Sequence, residues 1–357
     1  MYISRKVVFS ILLFSASLFL SGCANNAVTG RSQLMLVSEQ SAITQSTSAY
    51  SSLIGGLSKS GKLSKDEKLI TRVQDITNRL ITQAVKYRPA TKDWKWSVTV
   101  IDEPETVNAF CMAGGKMAIY TGLIGKVKPS DDELAQVMGH EISHALASHT
   151  AEKMSVRLAA GLAVVAITAS ANQNNRQTTQ DVSSLAAATL ITLPNSRVAE
   201  NEADTIGIEL AAKAGYDPRA AVTLWEKMMK ASGQTSRFDF LSTHPASSKR
   251  IEALASLESK MLPLYESGKI NRNLPVQDWV ASTKISNGAG SGNSGLTPAF
   301  GESLAPSTGN QGKNVNPAQP ATNLADFKLR ELYKLRKEGV ISEDEFAKKK
   351  HQLIEEY

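Results

Sequence analysis

Cysteine is almost absent from these 357 residues: only Cys23 and Cys111 occur. Two thiols exclude a disulfide framework. Basic tracts are missing as well. The 40 Lys and Arg exceed the 34 Asp and Glu by only six, and no basic run is interleaved with aromatics. No nucleic-acid partner is therefore expected, and weak attraction to an anionic surface is all the charge allows. Long apolar runs are lacking too. Val7 to Leu20 and Leu158 to Ala171 are both too short to span a bilayer comfortably, so the second reads as a buried or lid helix. What remains, 42% hydrophobic and 21% charged, suits a soluble globular chain of one large domain with extras, or of two domains.

The first of those short runs is a leader. Arg5 and Lys6 precede it, and Leu20-Ser21-Gly22-Cys23 ends it, a pattern resembling the bacterial lipoprotein signal in which the cysteine is acylated. Residues 1–22 are then a signal peptide and Cys23 the lipidation site. Without Arg5 and Lys6 the net charge falls from +6 to +4. Lipidation of Cys23 leaves Cys111 single, and an odd thiol of this kind is expected to be buried rather than reactive.

Against these absences stands one chemically dense stretch, Gln136 to Ala147, containing His140-Glu141-Ile142-Ser143-His144. On a helix, positions i and i+4 share a face, so His140 and His144 can direct two imidazoles at one zinc ion. Glu141, one position on, can serve a water there as general base. The helix itself is readable. Ser130 and Glu133 form a capping box after Pro129, and Leu134, Val137, Met138, Ile142 and Ala145 give an apolar stripe. Zinc held by two histidines needs a third protein ligand and an open position. Glu200 and Asp204, an i, i+4 carboxylate pair, can divide the roles of ligand and of support for a ligand histidine. Glu202 points elsewhere. A glycine and a histidine at the metzincin spacing are also lacking, because Ala147 and Thr150 stand there. His149 is off that register and is expected at the helix C-terminus, where positive charge is welcome.

The rest of the chain falls into segments. Residues 23–62 read as a Ser/Thr/Gln-rich tether with one ordered stretch, Val28 to Val37, and 63–281 as the catalytic domain. Within it, Ser64 and Glu67 suggest a capping box opening an amphipathic helix through Leu69, Val73, Ile76, Leu80 and Ala84 that ends before Pro89. Lys95 to Ile101 and Met117 to Thr121 read as strands, with a turn at Gly114-Gly115. Met117, Ala118, Ile119 and Tyr120 are expected to offer free backbone groups to an extended substrate. Asn172 to Ser183 is a polar loop and Leu185 to Leu193 is apolar again. Gly215 closes a helix, Asp217-Pro218 opens the next with Val222, Trp225 and Met229, and His244 before Pro245 can reach the cleft or merely pack. Residues 282–323 have linker composition, spanning roughly 35 Å as a random coil. Residues 324–357 read as a two-helix hairpin with eight basic and eight acidic side chains, small enough to need self-association or a partner.

Taken in order, Asn108-Ala109-Phe110 with Gly114-Gly115, His140-Glu141-x-x-His144, Ser196-Arg197-x-x-Glu200-x-x-Ala203-Asp204 and Thr243-His244-Pro245 with Arg250-Ile251 resemble the metallopeptidase family of the heat-shock protease HtpX and the CAAX prenyl proteases. The likeness covers roughly Val28 to Leu257 and leans towards that family's soluble periplasmic lipoprotein branch. It implies an α+β, mainly helical gluzincin domain with a small β-sheet edging the active site. It further implies Glu200 as third zinc ligand, Asp204 as support for a ligand histidine, and His244 near the metal. Ala113 departs from the family, which usually has proline before the glycine pair, and this loosens the substrate-strand expectation. The last 34 residues resemble the short C-terminal domain called SHOCT.

The resulting expectation is a zinc metalloendopeptidase with one zinc per chain, held by His140, His144 and Glu200, with Glu141 as base. His244 would donate to the oxyanion or fill the open metal position at rest. Its partners would be protein substrates of the envelope and the membrane, through the lipid. Ala24 after the cysteine is not an aspartate, so by analogy with enteric lipoproteins the inner leaflet of the outer membrane is expected. The rival is a non-proteolytic assembly or holdase lipoprotein whose zinc is structural, closed by His244 as fourth ligand. Cys23→Ser should abolish acylation, and mass spectrometry finding acyl chains on that variant would refute the leader assignment.

Overall fold

The computed structural model describes residues 23–170, 193–232, 238–245 and 247–280. The leader, the linker 282–323 and the hairpin 324–357 lie outside the described residues. So do the polar loop Asn172–Ser183 and all of Leu185–Leu193 but its last residue.

A short antiparallel pair, β1 (Cys23–Asn25) and β2 (Ser32–Leu34), comes first. The stretch read from sequence as a tether then forms a helix, α1 (Glu39–Lys59). Ser, Thr and Gln dilute its apolar pattern, but Ser38 caps it by accepting from Ser41 N, and Ala42, Ser46, Tyr50, Ile54 and Leu57 are buried at helical spacing. The next helix, α2 (Glu67–Tyr87), buries Val73, Ile76, Leu80 and Ala84 as expected. Its cap, however, is Asp66, which accepts from Leu69 N, rather than Ser64, whose hydroxyl accepts from Asp66 N.

Three strands make the central sheet: β3 (Ser97–Ile101), β4 (Ala109–Met112) and β5 (Lys116–Tyr120), in the order β3-β5-β4. The β4–β5 turn has Gly114 and Gly115 at φ of +78° and +74°, and a Cβ on Gly115 would lie 2.2 Å from the Trp96 ring. This order corrects the substrate-strand expectation. Met117, Ala118, Ile119 and Tyr120 sit on the middle strand, with β3 parallel on one side and β4 antiparallel on the other, so their ladder groups are already used. Alternate residues of the sheet face two clusters. Val98, Val100, Met117 and Ile119 join the main core, while Ile101, Phe110, Ala118 and Tyr120 pack on Tyr50, Ile54 and Leu57 of α1.

Helices α3 (Thr121–Val127), α4 (Asp131–Leu146), α5 (His149–Ser170), α6 (Leu193–Lys213), α7 (Ala220–Ser232), α8 (Asp239–Thr243) and α9 (Ser248–Gly268) complete the described chain. The capping box that opens α4 is fully formed. Ser130 Oγ accepts from Glu133 N at 3.2 Å and Glu133 Oε2 accepts from Ser130 N at 2.8 Å. α4 is packed between α2, α6, α7 and β4, and nearly every residue from Glu133 to Leu146 is buried. Leu158, Leu162, Val165 and Ile167 on α5 are 47 to 65% exposed, which excludes the buried of the two readings of that stretch, and Met229 on α7 faces out at 45%. No helix among the described residues is long and apolar enough to cross a membrane.

Glu133 also binds Lys227 Nζ at 2.6 Å and the Thr223 hydroxyl at 2.8 Å. Burial opposes its charge, yet Lys227 and the Ser130 N–H outweigh burial and hold its carboxyl below the usual range. The folded pKa is the lower one, so the contribution is full above the ordinary carboxylate pKa and is lost as pH falls through the folded value. Glu133→Gln should therefore cost about 1 kcal/mol near neutral pH, measured by denaturant unfolding, and the difference should fade in acid. An equal deficit at acid pH would mean that packing, not charge, is what Glu133 supplies.

Candidate metal centre

Three elements converge on one buried point. α4 carries His140 and His144, one turn apart on the same face. α6 brings Glu200 and Asp204, also one turn apart. The segment after α8 brings His244, at φ −128° and ψ 80° before Pro245, with its N–H bonded to Phe240 O. The two helices can come this close because glycine meets glycine. A Cβ on Gly139 would lie 2.9 Å from Gly207 O, and one on Gly207 would lie 2.8 Å from His140 N. Either side chain would push the carboxylates away from the imidazoles.

His140, His144, Glu200 and His244 each present one donor atom, all within 4.8 Å of one another. His140 Nε2 lies 3.1 Å from His144 Nε2 and 3.2 Å from His244 Nδ1, and His244 Nδ1 lies 3.0 Å from Glu200 Oε2. His140 Nε2 and His144 Nε2 are each 3.4 Å from a Glu200 oxygen. Donors on a tetrahedral zinc are about 3.3 Å apart, so this imidazole and carboxylate set fits zinc. Asp204 does not join the set. Its Oδ1 lies 2.9 Å from His140 Nδ1 and accepts that proton, leaving Nε2 to face the other donors.

Burial opposes charge on each of these groups, and partners outweigh it at Glu200, Asp204 and His140. Glu200 is nevertheless held well below the carboxylate range, by His244 and His144 first. Asp204 is lowered by His140 and Arg250 against the same penalty. His140 is lifted to about 9, Asp204 and Glu200 overcoming burial. His144 is driven well below the usual histidine value by burial. Glu141 behaves differently. It is 2% exposed, and burial raises its pKa because His244 and His140 compensate only in part. Its Oε2 accepts from Cys111 N at 3.2 Å, while its Oε1 makes no hydrogen bond and lies 3.4 Å from His244 Nε2. A buried carboxylate oxygen without a partner is costly, and this one stands beside the donor cluster.

Two residues have roles here that the sequence did not disclose. Arg250 is 6% exposed. It grips Asp204 with Nε at 2.5 Å and Nη2 at 2.8 Å, reaches Glu200 with Nη1 at 3.0 Å, and lies 3.9 Å over the Trp225 ring. Its place in a motif was legible; its partners, on another helix, were not. His149 lies just past the end of α4, as expected, but its ring bonds to His144 rather than serving the helix dipole. Cys111 is buried as expected, and burial raises its thiol pKa well above normal.

The geometry matches what comparison with known proteins finds. The profile described as peptidase family M48 covers residues 67–258. The chain belongs to this family. A second profile, the short C-terminal domain, covers residues 328–354. Among curated relatives, the mitochondrial metalloendopeptidase OMA1 of Arabidopsis thaliana is 42% identical over 179 residues, which are 50% of this chain and 35% of that protein. The OMA1 of Saccharomyces cerevisiae is 30% identical over 277 residues, 74% of this chain and 77% of the yeast protein. The beta-barrel assembly-enhancing protease of Escherichia coli is 27% identical over 168 residues, 45% of this chain and 34% of that one. The chain spans about a third of the length of the Arabidopsis relative and less than half of the fission-yeast one. These M48 relatives carry mitochondrial as well as bacterial names, so they do not single out a periplasmic lipoprotein branch.

For this M48 chain, metal analysis should find one zinc per chain, lost in His140→Ala and Glu200→Ala and kept in Glu141→Gln. Full zinc in Glu200→Ala would move the third ligand elsewhere, with Asp204 the next candidate.

Proposed function

We propose that this chain is a zinc metalloendopeptidase of the bacterial cell envelope, anchored by lipid on Cys23 and degrading misfolded or unassembled envelope proteins. The observation that carries the enzymatic part is the unpartnered Oε1 of buried Glu141 beside the donors of His140, His144, Glu200 and His244. A structural metal site has no use for such an oxygen; a hydrolytic one does. Bound by these residues, zinc would acidify a water and polarise the scissile carbonyl. Glu141 accepts the water's proton, and its raised pKa makes it the stronger base for that step. It then delivers the proton to the leaving amine. The Cys111 N–H holds Oε2 and leaves Oε1 for the work.

Substrate binding moves from the middle strand to an edge. β4 is an edge strand of the sheet, and its outward Cys111 N–H already points at Glu141. An extended polypeptide pairing with β4 would bring its carbonyl to the base. His244 stands among the donors with Nδ1 while Nε2 faces Glu141. It must swing aside before a substrate carbonyl can enter, and once displaced it is placed to donate to the developing oxyanion.

The position of His244 also favours the rival reading, a closed structural zinc in an assembly or holdase lipoprotein, since four protein donors already surround one point. The envelope location rests on the leader and Cys23, and the bacterial relative named for β-barrel assembly agrees with it. Glu141→Gln separates enzyme from scaffold, because it removes the base and keeps every donor. Cleavage of an unfolded model protein should fall about 10²- to 10⁴-fold while zinc stays bound. A parent that cleaves nothing with zinc in place would favour the scaffold, and a variant that cleaves like the parent would remove Glu141 as the base.

A further inference from the structure

The metal centre does not end at its donors. His144 turns Nε2 towards His140 and Glu200, and turns Nδ1 to His149 Nδ1 at 2.8 Å. His149 places Nε2 2.9 Å from Glu202 Oε2. Glu202, read from sequence as pointing away, is gripped by Arg31, whose Nε lies 2.8 Å from Oε1 and Nη2 3.1 Å from Oε2. The same guanidinium binds both oxygens of Glu152 at 2.6 Å. Gln33, 1% exposed, ties Glu152 to the end of α4 by donating to Glu152 Oε2 and to Ala147 O, and Asn26 donates to Ala147 O as well. Arg31, Gln33 and Asn26 all belong to the β1–β2 segment, which precedes the family-matched residues 67–258.

We propose that Arg31, Glu202 and His149 form a positioning relay that fixes the tautomer and orientation of His144, making the N-terminal hairpin a working part of the metal centre. This rests on the zinc site of the proposed function but not on its peptidase activity. The hydrogen bonds force the assignment. If His144 offers Nε2 as donor, its proton sits on Nδ1 and must be given to His149 Nδ1. His149 then accepts at Nδ1, so its own proton sits on Nε2 and goes to Glu202. One tautomer of each ring satisfies both contacts. An anionic Glu202 is required at the far end. Arg31 pairs with it there, through Nε to Oε1 and Nη2 to Oε2. A carboxylate behind a metal-bound histidine raises its basicity and holds its ring; here the same influence passes through a second imidazole. A plain structural brace accounts for Asn26, Gln33 and the Arg31–Glu152 pair. It does not account for a 6% exposed histidine with both ring nitrogens committed, one to a metal donor and one to a carboxylate.

The test uses the full chain and reads metal, not cleavage. Zinc affinity is measured by chelator competition, and the cobalt-substituted protein gives a visible ligand-field spectrum. His149→Phe should weaken zinc binding about 10- to 100-fold and change the cobalt spectrum. Arg31→Met, at a partly exposed side chain away from the donors, should weaken binding in the same direction. In the double variant Arg31→Met should add nothing to the loss of zinc affinity, because the relay carries its effect on the metal through His149. Unchanged affinity in both single variants, or additive losses in the double variant, would overturn the relay. A parent that binds zinc tightly and cleaves nothing would defeat the proposed function and leave this inference standing.

Discussion

A carboxylate buried among three imidazoles sets the terms for everything around it. Glu200 is 8% exposed and pressed against His140, His144 and His244, and water cannot stabilise its charge there. Paired and metal-ready groups can bear such burial; isolated ones cannot. The surrounding structure reads as a response to that constraint. Arg250 supplies positive charge to Glu200 and Asp204 from α9. Asp204 stands against the outer nitrogen of His140, and His149 against that of His144. His140, His144 and Glu200 are thus each held from behind by a group on a different element.

Backbone packing makes this arrangement reachable. Gly139 and Gly207 let α4 and α6 touch with almost no space between them, which brings the Glu200 turn level with the His140–His144 turn. At the other end of α4, the carbonyls of Leu146 and Ala147 are bound by Arg88, Asn26 and Gln33 rather than left to solvent. The helix is therefore fixed along its length, by a capping box at the start and at the end by Arg88, just past α2, and by side chains of the first hairpin. A precise donor set needs such support, because zinc ligation tolerates little displacement.

The sheet has a narrower task. Its middle strand is consumed by pairing, and its value to the site lies in presenting β4 beside Glu141. Membership of peptidase family M48 accounts for the core of 67–258. The N-terminal hairpin and α1 lie outside that match, yet one reaches the metal helix and the other covers the sheet.

Sequence by itself determined the local chemistry. His140 and His144 at i, i+4, Glu141 between them, the Ser130–Glu133 box, the α2 stripe and the glycine turn at 114–115 were legible because helical period, capping and positive φ act over a few residues. Glu200 and Asp204 were legible as a pair, and the ordered motifs distinguished ligand from support only through the family likeness. What tertiary structure alone decided involves distance along the chain. Which strand lies at the edge follows from a β3-β5-β4 order that alternation cannot encode. α1 was obscured because its packing on the sheet, not its propensity, makes it a helix. The contacts of Glu202 with His149 and Arg31 join residues 53 and 171 apart, and buried charges choose partners by proximity in space, on which residue order is silent.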